Sequence, residues 1–320
     1  MSAKSSKMKY AAIAIVLIVI LIGAFVVFRG RTRTQIDEAS PLIEEISQET
    51  QEISSLWTNV DSNAQSLRMV DTTYDMSIMT QEVDYCQTAK STVTDMKDDL
   101  DSIITHENKV AESLQDLSAM KLPDWTTEYI DIRGTMADKD LQRVDKAKQM
   151  SNNLDTYYGF AEELLLGLIA EYNMETALKD GMDLSQAQDY VGAREQFESA
   201  LDYNSEVKSH VVAASDIFSF DYLDKIESNR ERAESVIQKS IQVCDLAEEG
   251  AYDEAKELSE EAEEEYRSIS RVYQSDIKPE NQGWWKENIE SLSNDIKGLT
   301  NEIEDLQAQA NDLIEEHKPS

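Results

Sequence analysis

Three histidines, His106, His210 and His317, and two cysteines, Cys86 and Cys244, are the side chains of this chain best suited to hold zinc, relay a proton or attack a carbonyl. Their spacing assembles none of these devices. No two histidines fall within a helical turn of each other or beside a cysteine, so no metal-ligand set is legible. The cysteines lie 158 positions apart and read either as one long-range disulfide outside the cell or as two buried thiols, the ordinary state of a free cysteine in a helix. Carboxylates are the remaining candidates, and their abundance removes their value as a signal. A catalytic pair needs a pocket that drives two pKa values apart, whereas a run such as Glu260, Glu261, Glu263, Glu264 and Glu265 is a solvated helix face. There is no glycine-rich phosphate loop, no GxSxG elbow, no Ser/His/Asp set and no EF-hand spacing. The sequence therefore assigns no catalytic residue, no metal ligand and no cofactor, and the chain reads as a non-enzyme.

Charge narrows the partners. The 64 Asp and Glu residues outnumber the 30 Lys and Arg residues, for a net charge of −34. The only basic cluster is Lys4, Lys7, Lys9, Arg29, Arg31 and Arg33, and every acid follows it. Nucleic acid is excluded as a partner, because neutralising phosphates needs basic side chains clustered on the folded part. At 41% hydrophobic the chain is no acidic disordered tail and can bury a core.

The elements that position these residues begin with an apolar run. Tyr10 to Phe28 is free of charge over 19 residues, which as a helix spans about 28 Å and fits a bilayer core. Gly23-Ala24-Phe25-Val26-Val27-Phe28 offers no small-x-small cleavage site and no lipidation cysteine, so the run reads as an uncleaved, single-pass anchor of a cell-membrane protein. Lysines before it and arginines after it balance. The acid-free tail of residues 1–9 leading into a signal-like segment favours the tail inside and the acidic domain extracytoplasmic over the reverse, cytoplasmic placement of that domain.

Beyond the anchor the pattern is all-α. After a juxtamembrane linker over 29–39, Ser40-Pro41 reads as an N-cap followed by proline at the first helical position. Apolar residues then recur at steps of three and four through 40–121, interrupted by Asp71-Thr72-Thr73. One long stalk or a helical hairpin satisfies this stripe, and a break near 71–75 favours the hairpin. Leu122-Pro123 stops the helix, a loop fills 122–135, and helical periodicity returns from Leu141 to near Gly181 within an array over 136–277.

Gly181, Leu184, Asp189, Tyr190, Ala193, Phe197 and Ala200 follow the helix-turn-helix spacing of a tetratricopeptide repeat, and Gly250, Tyr252, Ala255 and Ala262 repeat its turn and second helix. The chain resembles that family over about 50 residues, in two non-tandem units near 177–204 and 237–266 whose turn tyrosines are 62 residues apart. The resemblance implies two helical hairpins in which small alanines let the helices approach and the aromatics fill the gap between them.

A linker over 278–288 leads to a heptad-patterned helix over 289–316. Ile289, Leu292, Ile296, Leu299, Ile303, Leu306, Ala310 and Leu313 alternate steps of three and four. Ile at a and Leu at d suit a parallel two-stranded coiled coil, hence a homodimer; the same stripe also suits packing on the chain's own long helices. Trp284 and Trp285, just ahead of it, read as caps on the core. The function expected from these elements is a membrane-anchored, non-catalytic scaffold that docks a protein partner, with a single-pass ligand-binding sensor as the alternative.

Overall fold

In a computed structural model the protein is all-helical, and the structure describes residues 33–120, 124–269, 272 and 274–316. The helices are α1 (Arg33–Ser66), α2 (Met76–Ser118), α3 (Asp124–Gln186), α4 (Tyr190–Ile217), α5 (Asp221–Glu248), α6 (Tyr252–Ser268), α7 (Gln274–Trp285) and α8 (Ser291–Glu316), with a π-helical turn Lys286–Glu290 before α8. No strand occurs among the described residues. No helix among them is long and apolar enough to cross a membrane. The proposed anchor, Tyr10 to Phe28, lies outside the described residues.

Several boundaries differ from those expected. Helix α1 already begins at Arg33 and runs through Ser40 and Pro41, so the linker expected over 29–39 and the cap at Ser40 give way to helix. Proline costs only its own N–H bond and a clash with the preceding turn, and the buried face of Ile46, Ile53, Trp57 and Val60 favours continuous helix. The helix breaks after Ser66 and resumes at Met76, as the polar stretch suggested. The loop expected over 122–135 is helical from Asp124, because Thr126, Arg133, Met136 and Ala137 extend the buried stripe through Gly134. Gly181 likewise does not end its helix, which continues to Gln186. The linker expected over 278–288 is helix and π turn, with Pro279 inside α7.

The chain forms two compact units, and α2 and α3 contribute residues to both. Unit 1 takes the described residues up to Arg68, Ser91–Leu154 and those from Lys286 on. In it four helical segments alternate in direction. Glu45 meets Ser113 and Glu49 meets His106 and Lys109, which sets α1 antiparallel to α2 and makes this pair a hairpin. Lys148 pairs with Asp101 and Asp140 lies against Glu107, which sets α2 antiparallel to α3. Helix α8 returns along α3 in a register that repeats every seven residues: the Asn153 side-chain amide donates to the Asn288 carbonyl at 3.1 Å, Lys146 reaches Asp295 at 3.0 Å and Lys139 reaches Glu302 at 2.7 Å. Seven residues make two helical turns, so a seven-residue step keeps one face of each helix on the other. Unit 2, Met69–Lys90 with Asp155–Trp285, is the array described next.

Candidate functional site

Unit 2 is a succession of antiparallel helices, and its first turn is set by local chemistry. The Asp189 carboxylate accepts from the Gly192 N–H at 3.0 Å and caps α4. Gln188 takes a positive φ of 65° to close the turn. Across it, the ring of Phe197 lies where a side chain at position 181 would stand: a Cβ built on Gly181 meets ring atoms at 2.6, 2.8 and 3.0 Å. Glycine at this site is what allows α4 to approach α3 so closely. Ala193, Phe197 and Ala200 are buried together with Met174, Ala177, Leu178, Ala233, Ile237 and Cys244, and Tyr190 packs on the edge of this core. The structure thus brings together the positions singled out for the first hairpin.

The second hairpin, α5 to α6, turns at Gly250 with φ of +80°. Ala255 and Ala262 are the buried residues of α6, and pairs from Lys239 to Glu261 and Glu265 hold α6 antiparallel to α5. Tyr252 is 62% exposed, so it does not fill a gap between helices as expected. With only two small buried residues on α6, the seam closes without it.

Trp284 and Trp285 lie in an aromatic group. Trp284 stacks on Tyr157 at 5.7 Å between centroids and contacts Phe218 at 4.8 Å, and Trp285 meets Tyr157 edge-on at 5.0 Å. Phe160 joins Phe218 and Phe220 at 5.0 and 5.3 Å. The group's polar tips are satisfied: Tyr157 Oη accepts from the Val70 N–H at 3.2 Å and the Tyr222 hydroxyl donates to Asn281 at 2.9 Å. Burial pushes both hydroxyls well above the ordinary tyrosine range. The two tryptophans thus belong to an aromatic group of unit 2.

In the C-terminal stripe, Ile289, Leu292 and Ala310 are buried, while Ile296, Leu299, Ile303, Leu306 and Leu313 are half-buried. The ion pairs from α8 to α3 show where the stripe sits: on the chain's own helix.

Unit 2 holds a cavity of about 60 Å³ lined by Glu171, Met174, Glu175 and Leu178 of α3, Arg230, Ala233 and Val236 of α5, and Tyr266 of α6. Arg230, only 4% exposed, anchors its floor. Its Nη2 donates to Glu171 at 2.7 Å and its Nη1 lies 3.5 Å from the Met174 sulfur, while Nε has no partner. Sequence reasoning passed over Arg230 because it searched for runs of apolar residues. The signal is present: Arg230 occupies a core position in the sequence of steps Leu223, Ile226, Arg230, Ala233, Ile237. A guanidinium on an apolar stripe marks a buried pair. Neither cysteine is in a disulfide and both are fully buried, which resolves the two sequence readings in favour of thiols. Among the described residues no group of three or more potential ligands is placed to hold a metal ion. Comparison with family models, with curated proteins and with solved structures finds no match for this chain.

Proposed function

We propose that this protein is a non-catalytic helical scaffold, tethered to the membrane through residues 10–28, that docks a partner protein on the α3–α5–α6 face of unit 2. The observation that carries this reading is the size and chemistry of the cavity on that face. At about 60 Å³ it is well below the roughly 300 Å³ at which metabolite pockets begin, yet it suits the tip of one apolar side chain between Met174, Leu178, Ala233 and Val236. Helical hairpins of the tetratricopeptide type present such faces when stacked, and the α3–α4 and α5–α6 pairs fit that reading. The net charge of −34 favours a basic partner surface. The α8 stripe is the weaker docking candidate, because a coiled coil between two copies would have to displace it from α3.

A photo-crosslinking residue placed in the full chain at Tyr172, which is 38% exposed and flanked by Glu171, tests the docking face; Val212 on α4, 49% exposed, is the control. A discrete protein adduct from position 172, absent from 212 and lost on Glu175→Lys, is expected. Equal labelling at the two sites, or none at 172, overturns the assignment. The second reading, a ligand-binding ectodomain, draws on the partnerless Nε of Arg230 beside the cavity. It predicts that a small anionic metabolite raises the melting temperature, and that Arg230→Lys abolishes the shift.

A further inference from the structure

Unit 1 carries a layer of charge inside its helical bundle. Glu107 of α2 is 5% exposed, and Arg133 and Arg143 of α3 are 5% and 7% exposed. Asp140 of α3, its side chain 14% exposed, lies beside them with its carboxyl within hydrogen-bonding reach of that of Glu107. Arg133 has no carboxylate on its terminal nitrogens. Nη2 donates to Thr50 Oγ1 of α1 at 2.7 Å and Nη1 to Gln307 Oε1 of α8 at 3.2 Å, so this one guanidinium joins three helices through neutral acceptors. Arg143 lies with its guanidinium 3.6 Å over the Trp57 ring and 3.7 Å from both Asp61 of α1 and Asp140. Arg133 Nε and Arg143 Nε are buried without hydrogen-bond partners, and the Trp57 indole faces the Asp140 carboxyl.

Glu107 is the carboxyl of this layer that has no cation against it. Arg143 faces Asp140 and the partly exposed Asp61, and the terminal nitrogens of Arg133 go to neutral acceptors. Among the described residues no ion pair reaches Glu107, which at 5% exposure would carry a buried, unpaired charge if ionised beside Asp140, a costly state. One proton held between Glu107 and Asp140 removes that charge. Two buried carboxyl groups in contact cannot both ionise cheaply, and a protonated carboxyl can donate to its neighbour. Among the described residues no charged group besides Asp140 and Arg133 acts on Glu107: the adjacent His106 and Lys109 are engaged by Glu49, and α8 presents the neutral Gln307.

We propose that Glu107 and Asp140 share one proton that unit 1 takes up as it folds, so that its four-helix packing tightens as the medium acidifies and loosens as it turns alkaline. Burial first, and then the neighbouring Asp140, push Glu107 from the ordinary 4.5 up to about 9. Burial also raises Asp140, against the pull of Arg143. The sign follows. A carboxyl whose folded pKa lies above its unfolded pKa binds more protons in the folded state, so its contribution is fully present below 4.5 and declines up to about 9. Each pH unit in that window lowers the folded-to-unfolded ratio by up to roughly tenfold.

The test is chemical unfolding of the full chain, solubilised in neutral detergent, between pH 5 and pH 9. Glu107→Gln and Asp140→Asn each replace the shared proton with a permanent neutral amide. Each is expected to fold and to lower by one the number of protons linked to unfolding. The double variant leaves two buried guanidiniums with no buried carboxylate and is expected to lose roughly a hundredfold or more in folding equilibrium, far beyond the sum of the singles. Trp57 gives a readout in the folded state. With fluorotryptophan incorporated, its resonance should titrate near pH 9 in the parent and stay flat in Glu107→Gln. An unchanged proton linkage in both single variants, a flat Trp57 resonance in the parent, or failure of Glu107→Gln to fold overturns the proposal.

Discussion

Replacing Gly181 by alanine separates close packing from helix propensity, because the two act in opposite directions. Alanine in the interior of a helix stabilises by about 1 kcal/mol relative to glycine. At Gly283, where an added Cβ meets nothing within 4 Å, that gain should appear nearly whole. At Gly181 the added methyl falls 2.6 Å from a ring atom of Phe197. The ring cannot swing clear, since Phe197 is 3% exposed and lies among Ala193, Ala200, Met174 and Ala177. Overpacking of this kind costs about 1–3 kcal/mol, which after the propensity gain leaves a net loss of about 1 kcal/mol. Urea unfolding followed by circular dichroism measures both variants. In a Phe197→Leu background the obstacle shrinks, and Gly181→Ala should turn from destabilising to neutral or stabilising. If Gly181→Ala stabilises the parent as much as Gly283→Ala does, the close approach of α4 to α3 is wrong.

The remaining predictions concern buried groups. Arg230→Met strands the Glu171 carboxylate, now 2.7 Å from the guanidinium, and should cost about 3–5 kcal/mol by urea titration, with Glu171→Gln in the same chain recovering part of the loss. Cys86 and Cys244 should not react with a thiol reagent in the native protein and should both react in denaturant. Burial pushes the Cys244 thiol up to about 11, so raising the pH to 9 should not expose its reactivity. Leu292→Ala should lower stability by about 2–3 kcal/mol while the mass by light scattering stays unchanged, because the α8 stripe packs on α3 of its own chain; dissociation of a dimer would refute this.

The helical class and the main periodic stripes were legible in the sequence because steps of three and four need no tertiary information. The stripes Leu100, Ile103, Val110, Leu114, Leu117 and Ile289 to Leu313 lie on buried or half-buried faces. Helix ends were less legible. Pro41, Gly134 and Gly181 each have a local tendency to stop a helix, and in each case burial on the same helix outweighs a local cost of a few kcal/mol at most. The direction in which α8 packs was open for a physical reason: a heptad stripe states that it is covered but not by what. The decisive residues that were missed, Glu107 between Ile103 and Val110 and Arg230 between Ile226 and Ala233, are polar side chains standing at core positions. A search for apolar repeats passes over them. A search for the charge that interrupts an otherwise regular stripe finds them.

The central claim is that an anchor displays the helical array off a membrane, and site-specific thiol labelling tests it most directly. Val191, 60% exposed at the start of α4, becomes the reporter when changed to cysteine, since Cys86 and Cys244 are buried and stay dark. Intact cells are treated with a membrane-impermeant maleimide and the membrane fraction is then collected. The account predicts label at position 191 in intact cells, on protein that remains with the membrane after alkaline extraction. Label that appears only after lysis, or protein that is released from the membrane by extraction, would contradict it.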